Sequence, residues 1–158
     1  METGKDRLTI EAVVNIARYK EALRLCESTD FVEKIERGPR FIDEVLAAKG
    51  GIYGVTTGYG DSCTEQVDAA HYYDLPLNLT RYHGCGLGAH FDRETTRAIM
   101  IVRLNTLTEG YSGVSMELLR YIAFFIEQDI LPLIPQEGSV GASGDLTPLS
   151  YLAGALVG

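Results

Sequence analysis

Three observations predict a mainly α-helical fold. Apolar residues recur at three- and four-residue spacing through most of the chain, and several of these stripes follow a Ser, Thr or Asp able to cap a helix. No apolar/polar alternation longer than a few residues marks a strand. Most of the 17 glycines gather between the stripes, so glycine-rich loops should connect the helices.

The first stripe is Ile10, Val13, Val14 and Ala17 behind a Thr9 cap, with Leu23 as a possible extension. A second helix is expected from about Arg40 to Lys49, with Phe41, Val45 and Leu46 on one side; Gly38-Pro39 opens it and Gly50-Gly51 stops it. Residues 52–72 break the pattern. Gly54, Gly58 and Gly60 fall too close together for a regular element and predict a shaped loop. A short helix follows from Tyr73 to Tyr82, with Pro76 near its start, and meets the stretch Gly84-Cys85-Gly86-Leu87-Gly88. Asp92 caps a long helix over about 93–109, with Ile99, Val102, Leu104 and Leu107 on its stripe, and Gly110 and Gly113 end it. Ser115 caps another to about Gln128, carrying Leu118, Leu119, Ile122, Phe125 and Ile126. Pro132 and Pro135 force an irregular connection, and a last helix opens near Leu146. Leu149, Leu152, Ala153, Leu156 and Val157 make that helix strongly apolar, so the chain reads like the front of a larger protein.

Composition excludes several classes. With 46% hydrophobic and 23% charged residues in 158, the chain has the balance of a globular domain rather than a disordered or collagen-like one. A formal charge of −8 argues against nucleic acid or an anionic membrane as the main partner, since both need a basic face. No apolar run reaches the roughly 18 residues of a membrane span, and Met1 to Asp6 has neither the basic nor the apolar part of a signal peptide. Cys26, Cys63 and Cys85 are odd in number and widely spaced, which suits reduced thiols in the cytoplasm.

The distinctive stretch runs from Gly138 to Ser150. In a tight bend, the amide nitrogen of Gly144 can approach the carbonyl carbon of Ala142 and close a five-membered ring; glycine tolerates the backbone this needs. Loss of one water from the ring and of the Ser143 hydroxyl as a second leaves an exocyclic methylidene. The product is an electrophile, which ordinary side chains do not supply. The tripeptide alone reads first as a Gly/Ser turn before an Asp145-capped helix, since small residues recur by chance in turns. His83, Cys85 and His90 fit no common zinc spacing and lack a fourth ligand. Gly84-x-Gly86-x-Gly88 follows a helix and is not the dinucleotide fingerprint. Asn78-Leu79-Thr80 matches a glycosylation pattern that means nothing without secretion, and Cys85 suits a small packed residue better than a nucleophile.

In its wider context the stretch closely resembles the signature of the aromatic amino acid ammonia-lyases and aminomutases, the family of histidine, phenylalanine and tyrosine ammonia-lyase. The blocks Tyr53 to Gly60, Asn78 to Gly88, Arg103 to Leu107 and Gly110 to Val114 resemble family segments in the same order, over roughly residues 40–158. The resemblance implies the amino-terminal part of a helical bundle with glycine-rich active-site loops. One domain, 1–158, would be a fragment whose carboxy-terminal helical part is missing. It implies a 4-methylideneimidazole-5-one group formed autocatalytically from Ala142, Ser143 and Gly144, with no metal or diffusible cofactor. Tyr53 matches the family's catalytic base, which removes a β-proton from the amino acid; a phenol titrating near pH 10 (about, in the free residue) needs help from its site. Tyr82 and His83 occupy the pair that contacts the substrate side chain, and Gly60 belongs to the loop that folds over the ligand.

A histidine at that second position resembles histidine lyases and some bacterial tyrosine lyases. Tyr82 departs from their usual Ser, and Thr56 departs from the Asn of histidine lyases. The implied substrate is an aromatic L-amino acid, tyrosine before histidine or phenylalanine, losing ammonia without oxidation to give an α,β-unsaturated acid. A 2,3-aminomutase would share these residues. The family assembles as a homotetramer whose sites draw on several chains, and its later polar contributions are absent from these 158 residues. Two expectations therefore stand side by side: an amino-terminal portion that needs the remainder for turnover, or a non-catalytic domain serving assembly or binding.

Overall fold

The computed structural model describes residues 1–138 and 143–158. Six α-helices and four short strands appear among them. They are β1 (Glu2–Thr3), α1 (Ile10–Tyr19), β2 (Arg24–Leu25), α2 (Thr29–Ala47), α3 (Asp74–His83), β3 (Leu87–His90), α4 (Arg93–Thr108), α5 (Met116–Glu127), β4 (Pro135–Glu137) and α6 (Leu146–Val157). The mainly α expectation holds.

Three of the expected caps form. Thr9, Asp92 and Ser115 each accept a backbone N–H three residues on, from Ala12, Thr95 and Leu118. α4 is the central strut. α1 and α5 pack on it, and Met100, Ile101, Leu104, Leu119 and Ile122 are buried where they meet. Side chains on α4 follow that burial: Val102, expected on the apolar stripe, is 47% exposed, and the buried face also takes in Thr96 and Arg97. On α1 the buried pair is Ile16 and Ala17, and Ile10 faces out at the fraying end. Leu23 is buried too, but beyond the helix and beside β2, which pairs in parallel with β1.

The second helix differs from its expectation. It starts behind a Ser28 cap and runs through Gly38-Pro39 instead of opening there. Proline costs α2 one backbone hydrogen bond. Tertiary packing offsets that loss: Phe31 and Ile35 enter the core on one side of the proline, and Gly38 lies against Gly113 on the α4–α5 turn, where a Cβ would sit 2.8 Å from the Gly113 Cα. Gly38 thus serves a close helix approach. Phe41 is 64% exposed, so α2 turns a different face inward from the one expected.

Two further elements were invisible to periodicity. The stretch after Gly86 forms β3, antiparallel to β4 with Leu87 opposite Glu137 and His90 opposite Pro135. Pro135 therefore sits in a short strand rather than in irregular chain, at an edge where its missing N–H costs nothing. α6 packs against α3 and sends Leu152 into the core. That contact brings Asp145 and the start of α6 to the end of α3.

One buried charge braces the α1–α4–α5 layer. Arg97, whose side chain is 5% exposed, donates to the Ala17 carbonyl at the end of α1 (2.7 Å) and pairs with Asp129. Burial pushes its guanidinium pKa down, with Arg93 a second cause. Asp129 also meets Arg93 and Lys20, and it closes α5 in the left-handed conformation (φ +59). Its own N–H bonds to Ile126, and the Ile130 N–H to Phe125. Among the described residues, no helix is long and apolar enough to cross a membrane.

Candidate active site

The loop after α2 is built by two buried threonines. Thr56 Oγ1 accepts the Ile52 N–H (2.8 Å) and faces the Ile52 carbonyl, while Thr57 Oγ1 accepts the Gly54 N–H (3.3 Å). Thr57 also bridges to Gln66, and the Thr56 carbonyl takes the Val67 N–H, so the loop folds back on itself. Tyr53 projects from this base, 63% exposed, with its phenol oxygen accepting the Gly60 N–H at 2.8 Å. Tyr59 stands edge-on to it, ring centroids 6.1 Å apart and planes at 86°. Gly54 is required here. Its φ is +72, and a Cβ would lie 2.6 Å from the Tyr59 ring. Burial, followed by the neighbouring Tyr82 and Tyr53, pushes the Tyr59 phenol pKa up. Tyr59 thus packs against Tyr53, a role no sequence pattern singled out.

Tyr82 and His83 end α3 with rings stacked at 4.7 Å. His83 Nδ1 lies 3.0 Å from the Leu79 carbonyl, which can only accept, so Nδ1 carries the proton and Nε2 is left to meet a ligand. His83 faces a cavity of about 230 Å³ lined also by Thr80, Arg103, Asp145, Leu149 and Ala153. A larger hollow, about 520 Å³, lies on α5 beside Leu118, Tyr121 and Phe124, but none of the expected site residues lines it.

On the far side of this cavity α6 begins. Ser143 is exposed at a bend, and Gly144 has φ +71 with no atom of the described residues within 4 Å of the place a Cβ would occupy. Both features suit a ring closing at Ser143 and Gly144, which needs a glycine backbone and free space. Ala142 lies outside the described residues. Asp145 does not cap α6. It adopts helical angles, its carboxylate accepts no N–H of the first turn, and it lines the His83 cavity instead. The positive end of the α6 dipole still falls beside Ser143 and Gly144.

Among the expected residues, Tyr53 and Gly60 are joined by a hydrogen bond, Tyr82 and His83 lie side by side at the end of α3, and His83 shares a cavity with the residue following Gly144. Segments about sixty residues apart meet at that cavity. Among the described residues, no group of three or more His, Cys, Asp or Glu is arranged to hold a metal ion.

Comparison with known proteins bears on this arrangement. A family model described as aromatic amino acid lyase matches residues 8–158. The chain is 40% identical over 153 residues to a histidine ammonia-lyase of Staphylococcus aureus (strain MRSA252), covering 97% of this chain and 30% of the relative. Among solved structures, tyrosine aminomutase from Streptomyces globisporus superposes with a TM-score of 0.86 at 34% identity, over 97% of this chain and 28% of that one. Ergothionase from Treponema denticola gives 0.85 at 30% identity, over 95% and 29%. The chain therefore spans less than a third of each relative's length.

Proposed function

We propose, because this chain belongs to the aromatic amino acid lyase family, that it contributes the ring-forming loop and the side-chain pocket of an enzyme that eliminates ammonia from an aromatic L-amino acid. The product is an α,β-unsaturated acid. The observation that carries this reading is the cavity that His83 shares with Asp145, the residue following Gly144.

Tyr53 takes the β-proton at its phenol oxygen. The Gly60 N–H donated to that oxygen holds it in place for the transfer. Tyr82 and His83 hold the substrate ring. With Nδ1 donating to Leu79, the Nε2 of a neutral His83 accepts, so a ring with its own donor fits best. A tyrosine phenol or a histidine N–H satisfies it, and phenylalanine leaves it unpaired. Tyrosine is the preferred substrate on this reading. Gly60 lets the loop lie close over the ligand, its φ of +57 lying in the left-handed region that favours glycine.

A 4-methylideneimidazole-5-one made from Ala142, Ser143 and Gly144 supplies an electrophilic carbon toward the substrate amine. The open space at Gly144 supports its fit. The same reading carries a homotetramer, as the family resemblance implies, and a cytoplasmic setting, supported by three unpaired thiols at Cys26, Cys63 and Cys85.

The resemblance to tyrosine aminomutase supports a second outcome, in which the amine returns to the neighbouring carbon. Product analysis separates the two. Tyrosine, histidine and phenylalanine are supplied to a protein joining this sequence to the portion its relatives add. An α,β-unsaturated acid with free ammonia supports the lyase, a β-amino acid the aminomutase, and no product from any of the three overturns both in favour of a non-catalytic domain.

A further inference from the structure

On the ring-forming reading above, we propose that Thr147 is a positioning residue for ring formation: together with Tyr151 it clamps the two ends of the segment that carries Ser143 and Gly144.

Thr147 is buried in the first turn of α6, and its hydroxyl donates to the Gly138 carbonyl at 2.9 Å. A hydroxyl in a first helical turn ordinarily finds a local backbone partner; this one crosses to the residue where β4 has just ended. Tyr151 lies four residues on, on the same face of α6, and its oxygen accepts the Gly86 N–H at 3.0 Å. Gly86 and Gly138 are themselves in contact. A Cβ on Gly138 would stand 2.9 Å from the Gly86 Cα and 2.7 Å from the Thr147 methyl. The β3–β4 pairing of Leu87 with Glu137 fixes the same corner. Ser150 anchors Thr147 from the other side by donating to its carbonyl at 2.6 Å. Gly138 and Thr147, on either side of Ser143 and Gly144 in the sequence, are thereby held at one point.

Pinned ends matter for the chemistry. The Gly144 nitrogen attacks the Ala142 carbonyl carbon, forming the new C–N bond. The carbonyl oxygen leaves as water with the protons of the Gly144 and Ser143 nitrogens, and a C=N bond remains. Ser143 then loses its hydroxyl with its α-proton as a second water. No oxidant is needed. The first step brings together atoms that an open chain seldom aligns, and holding Gly138 at Thr147 beforehand narrows the conformations the chain between them can sample.

Intact mass followed over time tests this on the chain as it stands. Wild type should lose two waters, about 36 Da. Thr147→Val, nearly the same shape without the donor, should lose them about tenfold more slowly. Thr147→Ser should restore the rate although it melts no higher, a rescue that mere packing would not give. Equal rates in wild type and a folded Thr147→Val overturn the clamp and leave the ring-forming reading standing. An unshifted wild-type mass overturns both. If Thr147→Val does not fold, Tyr151→Phe decides on the same readout: slower loss supports the clamp, and the wild-type rate overturns it.

Discussion

The backbone amide of Gly60 donates to the phenol oxygen of Tyr53 across 2.8 Å, so the loop between them closes on its own first side chain. The bond fixes where the phenol oxygen sits.

Removing that oxygen should remove the chemistry and leave binding. In a protein with turnover, Tyr53→Phe should lower kcat by about 10²- to 10⁴-fold with KM little changed, as expected for a lost general base. Ammonia release at saturating substrate measures it. Loss within about threefold would exclude Tyr53 as the base.

His83→Phe should redirect the pocket. Without Nε2 to accept a donor, kcat/KM for tyrosine should fall by about 10- to 100-fold relative to phenylalanine. The ratio of the two specificity constants is the measurement, and an unchanged ratio would place the substrate ring elsewhere.

Asp129→Ala should unfold the chain more easily by about 3 kcal/mol. It leaves buried Arg97 without its carboxylate and puts alanine in a left-handed backbone. Urea unfolding reads the change. Asp129→Gly should recover about 1 kcal/mol of it, because glycine relieves only the backbone part.

The start of α5 has two caps on different amides. Ser115 takes the Leu118 N–H at 3.2 Å, and Glu36 from α2 takes the Met116 N–H at 2.8 Å. Each change to Ala should cost about 1 kcal/mol. Glu36→Ala should also loosen α2 from α5, visible as faster amide exchange at Met116 but not at Thr95.

Acid should weaken the fold partly through Asp92. Its carboxylate accepts the Thr95 N–H at the start of α4, and that bond holds its pKa below the usual carboxylate value. A depressed folded pKa gives stability that is present above the usual value and lost as pH falls through the lower, folded one. Glu27, lowered by Arg120, adds to the slope in the same direction. Asp92→Asn keeps a capping oxygen and removes the titration, so its unfolding midpoint should depend less on pH below about 5 than that of wild type. Identical pH profiles would show that the carboxylate contributes no linkage.

Local signals read well where the physics is local. Thr9, Asp92 and Ser115 cap helices because each side chain meets an N–H only three residues away, and the apolar spacing of α1, α4 and α5 follows from helix geometry itself. The same rule failed at Asp145. Its surroundings are set by α3 and by the cavity around His83, not by the next three residues. Gly38-Pro39 misled for a related reason: a proline that ends an isolated helix is tolerated when Phe31, Ile35 and the Gly113 contact hold both sides.

By its residues alone the chain determined a helical class, its main caps, its family and the segments in which the chemistry should lie, because composition, short-range bonds and motifs are written along the backbone. Tertiary structure decided what those segments do to one another: that Asp145 turns to the His83 cavity, that Tyr151 meets Gly86, and that Thr147 reaches Gly138. Such partners are distant in sequence, and only the packing of α3, β3, β4 and α6 brings their atoms within bonding range.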